Sequence, residues 1–304
     1  MKLGFVSSIL EGASFQKVVD TATELGYECV EVACWPKGKA ERRYAGVTHI
    51  DAENLDDRQC ASIRDDCRKK NVEISSLAYY PNTMDPDPEK RKVIIEHLKC
   101  LIRTAPKLGV HMVTTFVGRV QDRTVEENLE IFKKVWPPII KYAEDCGVKV
   151  AIENCPMLFT KEQWPAGQNL ATTPAIWREL FSIIPSENFG INYDPSHFVW
   201  QHIDYIKPIY EFRNRIFHVH FKDIKLLKDK EAEVGIMAYP LEFMEPKLPG
   251  LGDVDWGKFV SALTDVGYDG YACIEVEDKA FEGSPEKIKK SLEISYRYMR
   301  QFVI

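Results

Sequence analysis

Apolar residues recur along this 304-residue chain in two alternating rhythms. Short runs rich in Val, Ile and Phe lie at 3–7, 28–33, 72–78, 110–117, 148–153, 189–194, 216–222 and 271–276. Each has the length and composition of a strand. Between them the apolar positions return every three or four residues, the spacing of a helix with one buried face. Phe15, Val18, Val19, Ala22 and Leu25 share such a face after the cap Ser14, with Gly26 as the stop. Asp87-Pro88 opens a helix carrying Val93, Ile94, Leu98, Leu101 and Ile102, and Thr173-Pro174 opens one carrying Trp177, Leu180, Phe181 and Ile184. Asp255 caps Phe259, Val260, Leu263 and Val266 before Gly267, and Ser284-Pro285 opens a last helix with Ile288, Leu292, Met299 and Phe302. Proline directly after a capping residue marks a helix start. Pro106 and Pro137-Pro138 fall inside helical stretches and predict a kink or break at each.

Eight strands alternating with helices imply parallel pairing through right-handed crossovers. Eight such units close into an α/β (β/α)8 barrel, with its site at the C-terminal ends of the strands. The rival, a doubly wound open sheet, wants a glycine-rich dinucleotide loop after the first strand, and Ser7-Ser8-Ile9-Leu10-Glu11-Gly12 is not one. No Pro/Gly/Ser-rich linker divides the chain, so residues 1–304 read as one domain. Two long connections, 34–54 and 223–254, follow strands and are lid candidates over the barrel mouth.

The formal charge of −6 argues against a nucleic-acid partner, which would demand a dense field of Lys and Arg. The best candidate for a local basic patch is Trp35-Pro36-Lys37-Gly38-Lys39 with Glu41-Arg42-Arg43, which reads more simply as a solvated loop. No run approaches the roughly 18 apolar residues of a membrane-spanning helix. The eight cysteines form no Cys-x-x-Cys pair, so a structural zinc site is not expected, and Cys29, Cys100 and Cys273 read as small buried hydrophobes. Met1-Lys2 leads at once into a strand of five residues rather than a secretory leader, so a reducing cytoplasm is the expected compartment.

The decisive pattern lies in the ionisable residues. Glu153 ends the fifth run, Asp194 the sixth, His220 lies near the end of the seventh, and Glu275 near the end of the eighth. A single acid at a strand end is most often a cap or a loop ion pair, and a single histidine a satisfied core residue. Four such groups on four successive strands meet across one barrel mouth, where three acids repel unless a cation neutralises them. The O3N set suits one divalent metal ion, Mn2+, Mg2+, Co2+ or Zn2+, and the donor set does not choose among them. His218 and His220 alternate onto the same side of their strand, and His220 is chosen by its depth.

Several motifs carry a resemblance. They are Ile152-Glu153-Asn154, Asp194-Pro195-Ser196-His197, His220-Phe221-Lys222-Asp223, Pro249-Gly250-Leu251-Gly252-Asp253-Val254-Asp255-Trp256 and Ile274-Glu275. Over essentially its whole length the chain resembles the xylose isomerase-like TIM-barrel superfamily, in its sugar phosphate isomerase/epimerase branch. That branch holds ketose 3-epimerases, hydroxypyruvate isomerase and the inosose dehydratases and isomerases. The resemblance implies that Glu153, Asp194, His220 and Glu275 bind the metal, that Glu153 and Glu275 also move the proton, and that His197 contacts a substrate oxygen. It also implies a homo-oligomer. One departure stands out: ketose 3-epimerases that resemble this chain usually carry arginine six residues after the seventh-strand histidine, where this chain has Leu226. Lys222 and Lys225 are the nearby cations, point charges rather than planar forks. Lys222 is the candidate substrate contact.

The implied reaction is isomerisation or epimerisation of a sugar, sugar phosphate or keto-polyol by removal of a proton beside a carbonyl, through a metal-stabilised enediolate. A lyase, either an inosose-type dehydratase or an enzyme of β-elimination from a keto-sugar, begins with the same step, and the long 223–254 connection keeps that alternative open. Trp35 and Trp164 are expected to contact substrate as aromatic plates, Trp200 less so. His111, early in its strand, belongs to the far end of the barrel. A DNA-repair enzyme of the endonuclease IV type would need histidines after the early strands and an Asp-x-His pair after the seventh. Here those positions read Ala33, Ala78-Tyr79 and Phe116-Val117, and no Asp-x-His follows His220. A non-catalytic binding module fits poorly with a complete metal set flanked by two glutamates.

Overall fold

The computed structural model describes residues 1–37, 44–158 and 160–303. Eight strands close a parallel barrel: β1 (Lys2–Val6), β2 (Cys29–Ala33), β3 (Glu73–Ala78), β4 (Met112–Thr115), β5 (Lys149–Glu153), β6 (Phe189–Tyr193), β7 (Ile216–Phe221) and β10 (Tyr271–Ile274). Around the barrel the order is β1-β10-β7-β6-β5-β4-β3-β2, and every neighbouring pair within it is parallel. All eight predicted runs are strands, each shorter than or equal to the run that signalled it.

The predicted caps hold. The side chains of Ser14, Asp87, Thr173, Asp255 and Ser284 each accept a hydrogen bond from a first-turn backbone N–H. Such caps satisfy donors that a helix start leaves without partners. Trp136, Trp177 and Trp256 are fully buried and join helices to strands, with ring centres 5.6 Å from Phe189, 5.6 Å from Tyr193 and 5.2 Å from Phe221 respectively. Near Pro106 the helix Pro88–Thr104 gives way to a 3-10 turn over Ala105–Leu108, as predicted. Pro137 and Pro138 do not break their helix, which runs unbroken from Val125 to Asp145. The carbonyls they leave without donors belong to Lys133 and Lys134, which face solvent, while Phe132, Trp136, Ile139 and Ile140 anchor the other face in the core.

Both long connections reach the mouth. Within 223–254 lies an antiparallel hairpin that the sequence pattern does not signal, β8 (Asp223–Leu226) with β9 (Met244–Lys247). Of 34–54, the described part places Trp35 and Tyr44 on the cavity wall. Lys37 pairs with Asp51 at 2.7 Å, while the rest of the candidate basic patch, Gly38 to Arg43, lies outside the described residues. No described helix is long and apolar enough to cross a membrane. The eight cysteines carry free thiols, and Cys29, Cys100 and Cys273 are buried as expected.

Asp223 ties the second connection down. One carboxylate oxygen accepts from the N–H groups of Ile224 (2.8 Å) and Val254 (3.1 Å), the other from the Gly250 N–H (2.9 Å) and the Trp256 indole (2.8 Å). Gly252 has to be glycine here, because a Cβ would stand 2.4 Å from the carboxylate. Asp223→Ala strips buried donors of their acceptor and is expected to cost about 2–3 kcal/mol. Urea denaturation checks this; an unchanged midpoint would mean that water replaces the carboxylate freely.

Candidate metal centre and active site

The strand ends bring Glu153, Asp194, His220 and Glu275 together, with one ligand atom from each within 4.8 Å of all the others. Local structure explains how each is aimed. Asn154 exchanges two 2.8 Å hydrogen bonds with the Asp194 backbone, locking the ends of β5 and β6 to each other. Asn169, fully buried, donates to the Glu153 carbonyl at 2.9 Å and accepts from the Val117 N–H at 3.1 Å. The Ser196 N–H donates to Asp194 Oδ1 at 2.8 Å, which fixes that carboxylate's rotation. His220 Nδ1 lies 3.3 Å from Glu153 Oε1 and 3.5 Å from Glu275 Oε2.

The donor set fits a divalent cation. Asp194 Oδ2 is buried and accepts no hydrogen bond of sound geometry, although Lys222 Nζ is 3.0 Å and His197 Nε2 3.2 Å away. Oxygen and nitrogen ligands about 2.1 Å from a shared ion lie at most about 4.2 Å apart, so this set needs to contract only slightly. Three carboxylates and one imidazole, with no thiolate, make a hard-to-borderline site.

Lys222 is the cation that the fold itself supplies. Its ammonium, almost wholly buried, lies 3.0 Å from Asp194, 2.8 Å from Glu275 and 3.3 Å from Glu277, and 3.0 Å from His197 Nε2. Burial alone would raise the Asp194 carboxyl, but Lys222 and then His197 outweigh it and hold it well below its ordinary value. The Glu275 carboxyl behaves alike: burial opposes, Lys222 and then His220 prevail, and it is held down to about 2. Burial would lower the Lys222 ammonium and the His220 imidazole, yet both are raised well above their usual values. Asp194 and Glu275 act on Lys222, and Glu31, Glu153 and Glu275 on His220.

Above the cluster opens a cavity of about 530 Å³, lined by Trp35, Tyr80, Phe116, Met157, Trp200 and Met244 among others, with Glu153, His197, Lys222 and Glu275 at its polar floor. That size suits a small-molecule site. Trp35 stands on the wall as expected. Trp164 does not: its ring packs 6.0 Å from Trp200 and its indole donates to the Met237 carbonyl at 2.9 Å, so it braces the 223–254 connection while Trp200 faces the cavity. His111 is exposed just before β4, at the opposite end from the cluster. The early strands contribute Ala33, Ala78 and Phe116 to the wall, not the histidines that a three-metal nuclease site would need.

Sequence reasoning passed over Glu31, Tyr80 and Asn192. Glu31, on β2, is wholly buried and lies 3.1 Å from His220 Nε2; Tyr80 Oη donates to its other oxygen at 2.6 Å. Burial would raise the Glu31 carboxyl, but His220 first, then His218 and Tyr80, bring it below its ordinary value. A signal existed: barrel strands are buried on both faces, so a lone carboxylate between Val30 and Val32 needs a partner inside the barrel.

Known proteins share this architecture. Residues 19–299 match the family described as xylose isomerase-like TIM barrel. An inosose dehydratase of Clostridium tetani is 23% identical over 274 residues, 88% of each chain. The crystal structure of D-psicose 3-epimerase with D-tagatose from Clostridium cellulolyticum H10 superimposes with a TM-score of 0.71 at 16% identity, covering 100% of this chain and 99% of that one. IolI protein with a binding zinc atom gives a TM-score of 0.71 at 20% identity, covering 99% and 96%. At such identities the solved structures speak for the fold alone. The family match, which spans nearly the whole chain, goes further: this protein belongs to the xylose isomerase-like TIM barrel family.

Proposed function

We propose that this chain is a divalent-metal-dependent isomerase or epimerase of a sugar, sugar phosphate or keto-polyol that works by removing a proton beside a carbonyl. The observation that carries the reading is that Glu153 and Glu275, from different strands, both stand beside His220 Nδ1, at 3.3 and 3.5 Å, under a cavity of sugar size. Glu153, Asp194, His220 and Glu275 would hold the ion, Mn2+ first and Mg2+, Co2+ or Zn2+ as alternatives. A bound divalent ion supplies Lewis-acid polarisation of a carbonyl and its neighbouring hydroxyl, and so stabilises the charge left by proton removal.

The protein's own groups do the rest. Glu153 and Glu275 reach the substrate carbon from two directions, so that one takes the proton and the other returns it. His197, near Asp194, donates to a substrate oxygen. Lys222, at the cavity floor, adds a second, fixed positive charge where negative charge grows. Trp35 and Phe116 cover the apolar face of the substrate and thin the water around the reacting carbon.

A second reading is a lyase, and a particular contact favours it. Lys222 Nζ lies 2.8 Å from Glu275, so an ammonium stands beside one of the two bases and could assist a departing hydroxyl. The likeness to inosose dehydratases points the same way. Both readings share the first step. The test is solvent-deuterium incorporation, followed by NMR, into a panel of ketoses, inososes and 3-keto-glucosides with Mn2+ present. Exchange at a carbon next to the carbonyl, abolished by chelator and restored by Mn2+, is expected. An inverted centre or moved carbonyl then marks an isomerase or epimerase, and loss of water a lyase. Exchange that persists undiminished after chelation would remove the metal from the reaction.

A further inference from the structure

Beneath the metal cluster lies a second layer of polar groups, all inside the barrel. Glu31 Oε2 faces His220 Nε2 at 3.1 Å and His218 Nδ1 at 3.6 Å, and Tyr80 Oη donates to Oε1 at 2.6 Å. Asn192 Nδ2 donates to Tyr80 Oη at 3.0 Å, and Asn192 Oδ1 accepts from His218 Nδ1 at 3.0 Å. His218 Nε2 meets Ser75 Oγ at 3.0 Å. Glu31, Asn192, His218 and His220 are all fully buried. The backbone is adapted to this layer: the barrel's pairing shifts register at Val30/Glu31 and at Ile191/Asn192, next to two of its members. Such irregularities re-aim a side chain beside a site.

We propose that Glu31 is a positioning residue that holds His220 with its proton on Nε2 and so presents Nδ1 to the divalent cation. This rests on the metal-dependent reading above. The two ring nitrogens face different company: Nδ1 looks at Glu153 and Glu275, Nε2 at Glu31. A neutral imidazole carries a single proton, and a nitrogen that coordinates a metal cannot keep it. The other nitrogen must then donate, and a carboxylate is the strongest acceptor within reach. Asn192 Nδ2 also stands 3.0 Å from Nε2 and keeps a second N–H after donating to Tyr80, but an Nε2 that accepted it would turn a lone pair toward the Glu31 carboxylate at 3.1 Å, which costs more than forgoing one neutral amide bond. A carboxylate behind a ligating histidine fixes the tautomer and ring orientation and raises the basicity of the ligand.

Glu31, His218 and His220 also lie close enough together to suggest a metal site of their own. His220 would then have to coordinate two cations through both ring nitrogens, losing its last proton inside a wholly buried pocket. The positioning role needs no such step.

The test titrates metal-free wild type and Glu31→Gln with Zn2+ in competition with a chromophoric chelator, and follows histidine 15N signals in the Zn2+-loaded wild type. Wild type is expected to bind one Zn2+ per chain, with His220 protonated on Nε2 and coordinated through Nδ1. Glu31→Gln keeps the size of the side chain and is expected to bind Zn2+ about 10–100-fold more weakly, with a cooperative metal-free melting transition showing that the variant is folded. Affinity within threefold of wild type would sink the positioning role and leave the proposed function standing. Two Zn2+ per wild-type chain, one of them lost in Glu31→Gln, would instead make the lower layer a metal site. A wild type that binds no Zn2+ or Mn2+ overturns both proposals. Should Glu31→Gln fail to fold, the wild-type tautomer decides alone, and coordination through Nε2 overturns the inference.

Discussion

Glu153→Gln and Glu275→Gln are each expected to lower kcat by about 10²–10⁴-fold, the usual share of a general acid or base. Glutamine keeps a carbonyl oxygen where the carboxylate oxygen stood, so a ligand of weaker charge remains while proton transfer is lost. The two variants should differ from each other. If Glu153 and Glu275 serve opposite faces of the substrate carbon, each variant retains solvent-deuterium exchange on the face served by the surviving carboxylate and fails to complete the reaction. Isotope exchange measured separately from turnover, with bound metal counted in each sample, reads this directly. Metal retained together with wild-type turnover in both variants would falsify the acid–base pair. Metal lost in either would move its effect to coordination, and adding excess Mn2+ separates the two causes.

Lys222→Met is expected to destabilise the metal-free protein by about 3–5 kcal/mol, because it leaves buried carboxylates without their cation. Asp194, Glu275 and Glu277 all lie within 3.3 Å of that ammonium. A divalent ion should restore most of the loss, since it neutralises the same acids. Melting temperatures with chelator and with Mn2+ test this; equal losses in both would assign Lys222 a packing role.

The dependence on pH supplies a second signature, and its sign differs between the two proteins. In the metal-free wild type the folded Asp194 and Glu275 carboxyls lie below their ordinary values of 3.8 and 4.5. On acidification the unfolded chain takes up protons first, so their contribution is complete above those values and is lost as pH falls toward the folded ones. Without Lys222, burial and mutual repulsion push the same carboxyls upward. The folded variant then takes up protons first, so its stability should rise as pH falls from neutrality toward about 5, a range over which the wild-type contribution of these two carboxyls stays level.

Much of this protein is legible in one dimension. The alternation of Val- and Ile-rich runs with capped amphipathic helices depends on local chemistry: Ser14, Asp87, Thr173, Asp255 and Ser284 cap helices through hydrogen bonds reaching two or three residues along the chain. Such contacts leave their mark in local spacing. Glu153, Asp194, His220 and Glu275 were legible for a related reason. In a parallel barrel every strand's C-terminal end arrives at the same rim, so a residue's place within its run becomes a place in space.

What local spacing did not carry was decided across the barrel. Trp164 and Trp200 both sit in loops after strands, and only the packing of the 223–254 connection turns one ring to the cavity and the other away. Pro137 and Pro138 break rules for isolated helices, and the buried face of Trp136 overrides them. Glu31 and His220 are 189 positions apart and meet only because β2 and β7 face each other inside a closed sheet. By itself the sequence determined the barrel and the four rim residues, because strand order and strand ends are one-dimensional quantities. Which nitrogen of His220 faces which carboxylate was decided by the tertiary structure alone, because it depends on closure of the barrel and on register shifts at Glu31 and Asn192 that no local spacing encodes.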